Sequence, residues 1–165
     1  MMTTSKTLHC YDYVNHPYDR VCEALRRDAS GIFRRATTKA ATRASVVGAQ
    51  LHVQIGVLDV ATDVGVEVGT PYEQPSPTGP RVTAFPISWQ SANRPGLFPH
   101  MNARLLVFPL SATETQLELE GSYEPPLGLL GAAVDAIVGH RVAEASVLSF
   151  VQDIAALLRG ELASG

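Results

Sequence analysis

The sequence predicts an α+β fold: one strand, two short helices, about five strands paired antiparallel, then one long C-terminal helix. Three observations carry this reading. Apolar residues recur with a period of two through much of residues 50–123. Several links between those runs are short and rich in turn formers, which favours antiparallel pairing. After Pro125-Pro126 the spacing becomes helical and stays so until about Leu162.

The elements follow in order. Leu8–Val14 reads as a strand that ends at Asn15-His16-Pro17, where Pro17 suits the first turn of a helix. Tyr18, Val21, Cys22 and Leu25 then make one buried helical stripe. Asp28–Gly31 is a break, and Ile32, Phe33 and Ala36 mark a second short helix. Leu51–Val57 and Val64–Val68 alternate strictly around a turn at Asp59–Thr62, as in a hairpin. Residues 71–80 are a proline-rich loop. Arg81–Gln90 is a strand with Phe85, Ile87 and Trp89 on one face, and Pro86 places it at an edge or beside a bulge. Met101–Leu110 and Gln116–Tyr123 complete the sheet, the latter with Leu117, Leu119, Gly121 and Tyr123 facing one way. In the last helix Leu129, Ala133, Ile137, Val147, Val151, Ile154 and Leu158 fall on one side, with Ser146, Ser149, Gln152 and Asp153 opposite.

Composition narrows the function. The 165 residues suit one domain spanning 1–165, and 45% hydrophobic content supplies a sizeable core. A net charge of −3 argues against general nucleic-acid binding. No apolar run reaches the roughly 20 residues of a membrane span, and Met1–Asp12 lacks the apolar core of a signal peptide. The expectation is a soluble, cytoplasmic globular domain, monomeric or homodimeric. Charge is uneven: residues 1–43 hold eight Lys/Arg against four Asp/Glu, and residues 44–165 hold five against twelve. Six cations fall in the basic segment 26–43. Such a run is ordinarily a solvated helical face, and can alternatively dock an anionic partner. Two cysteines and five scattered histidines support no metal site. No phosphate-binding loop, dinucleotide fingerprint or nucleophile elbow is present, so no cofactor is expected.

The element order, with Gly121-Ser122-Tyr123-Glu124-Pro125-Pro126-Leu127-Gly128 leading into a helix that carries Gly131, Asp135, Gly139 and His140–Ala143, resembles the START-like (SRPBCC, helix-grip) superfamily. Leu97-Phe98-Pro99 ahead of the penultimate strand is similar to bacterial members of that group. The superfamily includes polyketide cyclases/dehydrases and pollen-allergen-type lipid carriers, and it has no shared catalytic signature. The resemblance implies a curved antiparallel sheet wrapped around the long C-terminal helix, with a cavity between them for a lipid, hormone, polyketide or partner protein.

On that expectation the ligand-binding candidates are Phe85, Trp89, Arg104, Tyr123, Ile137, His140 and Val147. His140 lies at the centre of the helix stripe with Glu144 one turn on, so the pair are candidate acid–base groups. The plainer alternative turns the helix near Gly139 and leaves both at the rim or in solvent. Arg104 either meets an anionic ligand or pairs with Glu118 or Glu120 on the outer face, and the second reading is preferred. Phe85, Trp89 and Tyr123 are an aromatic pocket wall or plain core. The preferred function is binding or transport of a hydrophobic small molecule rather than catalysis. The alternatives are a cyclase/dehydratase using His140 and Glu144, and an interaction module docking through segment 26–43.

Overall fold

The computed structural model describes residues 6–50, 64–74, 79, 81–91, 100–124 and 136–163, and the side chains of Ile137 and His140 lie outside that description. The expected strand Leu51–Val57 and the start of the last helix at 127–135 also fall outside it. Strand β1 (Lys6–Val14) is followed by helix α1 (Tyr18–Gln50), β2 (Val64–Val68), β3 (Tyr72–Gln74), β4 (Val82–Ser91), β5 (His100–Pro109), β6 (Thr115–Glu124) and helix α2 (Ala136–Ala163). The strands form one curved antiparallel sheet in the order β1-β6-β5-β4-β2, with β3 also on β4.

Alternation fixes which face is inside. Leu8, Val14, Leu117, Leu119, Tyr123, Met101, Leu105, Val107, Phe85, Ile87 and Trp89 point to the helices and belong to one buried cluster. The loop expected at 71–80 contains a short strand, β3, that its flanking prolines conceal in the sequence. Pro86 is explained by the same region. Strand β4 is interior, and Gly69, Thr70 and Pro71 stand opposite Phe85 and Pro86, which is a one-residue bulge. Gly69 N–H donates to the Pro86 carbonyl at 2.8 Å, so the proline's missing N–H falls on the side where the ladder is already interrupted.

The break expected at Asp28–Gly31 is present as a kink. Asp28 has non-helical φ −146° and ψ 48°, and its Oδ1 accepts the Gly31 N–H at 3.2 Å. Asp28 is therefore the N-cap of the following segment, which runs on to Gln50, well past the short helix expected around Ile32–Ala36. A Cβ at Gly31 would lie 2.4 Å from that carboxylate, so the Asp28 side chain sits in space that the glycine leaves open and would have to shift for any larger residue. Asp28→Ala is expected to cost about 1 kcal/mol, read as a lowered midpoint in urea unfolding. An unchanged midpoint would mean that the kink forms without the cap.

Helices α1 and α2 run antiparallel. Arg20 donates to the Leu162 carbonyl, Arg27 meets Glu161 at 3.7 Å and Lys39 meets Asp153 at 3.0 Å, so numbers rise on one helix as they fall on the other. Val21, Leu25, Ile32, Phe33, Ala36 and Ala40 fill the contact from α1, and the two alanines let the helices approach closely. This corrects part of the expected polar side of the last helix. Ser146 is 0% and Asp153 7% exposed, because α2 is covered by the sheet on one side and by α1 on the other. Gln152 is exposed as expected.

Candidate functional site

The inner face of the sheet against α2 is where the sequence places a site. Phe85, Trp89, Tyr123 and Val147 do come together there, all buried in the same cluster. The Trp89 ring meets Phe150 edge-on at 4.6 Å, and Phe33 meets Phe85 at 6.1 Å. Trp89 Nε1–H donates to Thr37 Oγ1 at 3.1 Å, which satisfies the one polar atom of the indole. Phe85 and Trp89 are thus packed against other rings, whereas Val147, though buried, also lines open space on its other side.

Arg104 stands apart. It projects from the outer face, where its guanidinium bonds Glu120 on β6 and, at 3.2 Å, the Tyr72 hydroxyl on β3; its side chain is 40% exposed. The sheet–helix site therefore does not include it. Period two should have settled its face, but Leu106 and Phe108 on that same outer side join Val82 and Ala84 in a small apolar cluster. An apolar run on both faces hides the alternation.

Open space lies at the sheet's β1 side. A groove of about 440 Å³ runs between β1 and the first half of α2, lined by Leu8, His9, Cys10, Arg141, Glu144, Ala145, Val147 and Leu148. Leu8, Cys10, Ala145, Val147 and Leu148 make it mainly apolar. The His9 imidazole bonds Glu118 on the outer side. Arg141 and Glu144 are exposed. Glu144 thus lines the groove, with Val147 and Leu148 within the next helical turn. Burial raises the Tyr123 hydroxyl above its ordinary pKa, and the Glu144 charge adds to that shift. The phenol accordingly keeps its proton at neutral pH.

Sequence reasoning missed Leu8, Cys10, Ala145 and Leu148. Leu148 carried a usable signal: it is a leucine off the main helical stripe, and it remains 41% exposed.

Both cysteines are free thiols. Burial pushes Cys10 from 9.0 up to about 12. The folded value lies above the unfolded one, so this thiol's contribution to stability is complete below pH 9.0 and is lost as pH rises towards 12. Iodoacetamide at pH 8 is expected to alkylate Cys10 far more slowly in the folded protein than in urea, the rate climbing with pH. Equal rates in the two states would contradict this. Cys22 is also raised by burial, and it donates to Thr83 Oγ1, which in turn meets the Tyr18 hydroxyl at 2.5 Å.

Among the described residues no group of three His, Cys, Asp or Glu side chains is placed to hold a metal ion. No helix among them is long and apolar enough to cross a membrane.

An antiparallel sheet gripping a long C-terminal helix is the helix-grip fold, and solved structures share it. The Zhui aromatase/cyclase of a Streptomyces species superposes with a TM-score of 0.51 over 98% of this chain and 99% of its own, at 13% identity. A Thermus thermophilus protein matches with a TM-score of 0.50 over 97% and 99%, also at 13% identity. No family model and no curated protein matches by sequence. At this identity the likeness defines the fold.

Proposed function

We propose that the protein binds a hydrophobic small molecule, lipid-like or polyketide-like, in the groove between β1 and α2. The observation that carries this is the groove itself. It has the size of a small-molecule site, its walls are apolar, and its charged groups are exposed. Leu8, Cys10 and Leu148 would shed water on contact with an apolar ligand, at roughly 25 cal/mol per Å² buried. Arg141 as donor and Glu144 as acceptor would orient the ligand's polar end. The helix-grip fold, shared with a protein described as an aromatase/cyclase, is consistent with this use.

One observation favours a second reading. Glu144 lines the groove and acts electrostatically on the Tyr123 hydroxyl, a carboxylate beside a phenol that holds its proton. A cyclase or dehydratase using Glu144, with His140 one turn earlier, would employ such groups as base and acid.

A titration with Nile red, a neutral apolar dye, tests binding. Saturable fluorescence with one site per chain is expected, and a linear, non-saturating rise would count against the groove. The two readings part on the ligand's fate. A carrier returns a bound polyketide unchanged, whereas a dehydratase returns it lighter by one water.

A further inference from the structure

Between Ala29 and Gln50, α1 carries four cations, Arg34, Arg35, Lys39 and Arg43, and no acidic residue. All four are exposed, together with Ser30, Thr38 and Thr42. The opposite face is spent in the core through Ile32, Phe33, Ala36 and Ala40. Four-residue spacing sets Arg34, Thr38 and Thr42 in one row and Arg35, Lys39 and Arg43 in the next, a strip about 13 Å long.

This arrangement works against the helix that carries it. Arg35–Lys39 and Lys39–Arg43 are like charges one turn apart, and Arg34 and Arg35 lie near the positive end of the segment capped by Asp28. Asp28 answers Arg35 at 3.7 Å and Asp153 answers Lys39 at 3.0 Å. Arg34 and Arg43 have no counter-charge among the described residues.

We propose that this face is a docking surface for an acidic segment of a partner protein. Three of the four cations are arginines, whose planar fork takes a carboxylate with two parallel hydrogen bonds. Residues 44–165 are acidic by seven charges, twelve Asp/Glu against five Lys/Arg. An acidic partner is therefore drawn to α1 and repelled from the rest of the molecule, which fixes its orientation. A bilayer fits less well, because among the described residues of the strip those exposed are Arg34, Arg35, Thr38, Lys39, Thr42 and Arg43, with no apolar side chain to enter the lipid interface. A nucleic acid would lack stacking partners, since Phe33, the aromatic residue of this segment, is buried.

The test is fluorescence anisotropy of a labelled glutamate-rich peptide titrated with the full chain at low salt. Saturable binding that weakens as salt rises is expected, and Arg34→Glu/Arg43→Glu should weaken it by about tenfold or more. Nile red binding by the same variant should not change, which separates this surface from the groove. Arg34→Gln/Arg43→Gln provides a milder version should charge reversal impair folding, with an intermediate loss expected. Peptide affinity unaffected by either variant would overturn the proposal. So would an absence of peptide binding, or retention by phosphatidylserine vesicles without peptide binding.

Discussion

Phe150→Ala is expected to destabilise the protein by about 3–5 kcal/mol. The Phe150 ring is fully buried and meets Trp89 from the sheet at 4.6 Å and Phe33 from α1 at 6.0 Å. It therefore ties the three layers together from α2, as Phe33 does from α1 through Phe85 and Phe150. Truncation would leave a cavity among rigid aromatic neighbours that cannot collapse into it, which places the cost at the upper end for core deletions. For a chain of this size the thermal midpoint should fall by roughly 10–15 °C. Phe150→Leu, which keeps most of the volume, should lose much less. A loss below about 1 kcal/mol in the alanine variant would mean that the three layers are not joined at this ring.

The second large effect concerns the groove. Ala145 is half-buried on its α2 wall, on the helix face beside Leu148. Ala145→Trp puts a bulky ring into a space of about 440 Å³ without disturbing the core. Nile red affinity should fall by at least about tenfold, equivalent to roughly 1.4 kcal/mol, while the thermal midpoint changes little. Unchanged affinity together with unchanged stability would show that the dye binds elsewhere. The two variants separate packing from binding, since Phe150 lines no part of the groove and Ala145 is not a fully buried core residue.

The sheet was legible because Leu117–Tyr123 and Val64–Val68 alternate cleanly. The long last helix was legible from its spacing. What escaped has specific causes. The extent of α1 was hidden because its buried face past Phe33 is built from Ala36 and Ala40, which carry too little apolar weight to declare a stripe. Once α1 covers α2, Ser146 and Asp153 become interior, and no periodicity within α2 reveals a second helix against it. Strand β3 was masked by Pro71 and Pro75 on either side.

The site was less legible than the fold. An inward-facing Trp89 or Phe85 has the same alternation whether its neighbour is a ligand or another ring. The structure supplies the rings, Phe150 and Phe33. Glu144 was picked out by helical phase alone, and it lines the groove. Its partners Leu8 and Cys10 come from β1, where the large aromatic residues Tyr11 and Tyr13 blur the alternation that would mark the inner face. The tyrosines face outward, and Asp12 faces α2, where Arg159 Nη2 reaches it at 3.5 Å.

The measurement that tests ligand binding most directly is native mass spectrometry of the protein as purified, set beside its denatured mass. Binding in the groove predicts an excess of a few hundred daltons that vanishes on denaturation and is greatly reduced in Ala145→Trp. An adduct of equal occupancy in that variant would contradict the assignment to this groove. A bare mass in the native spectrum, together with no saturable uptake of added Nile red, would contradict the binding function itself.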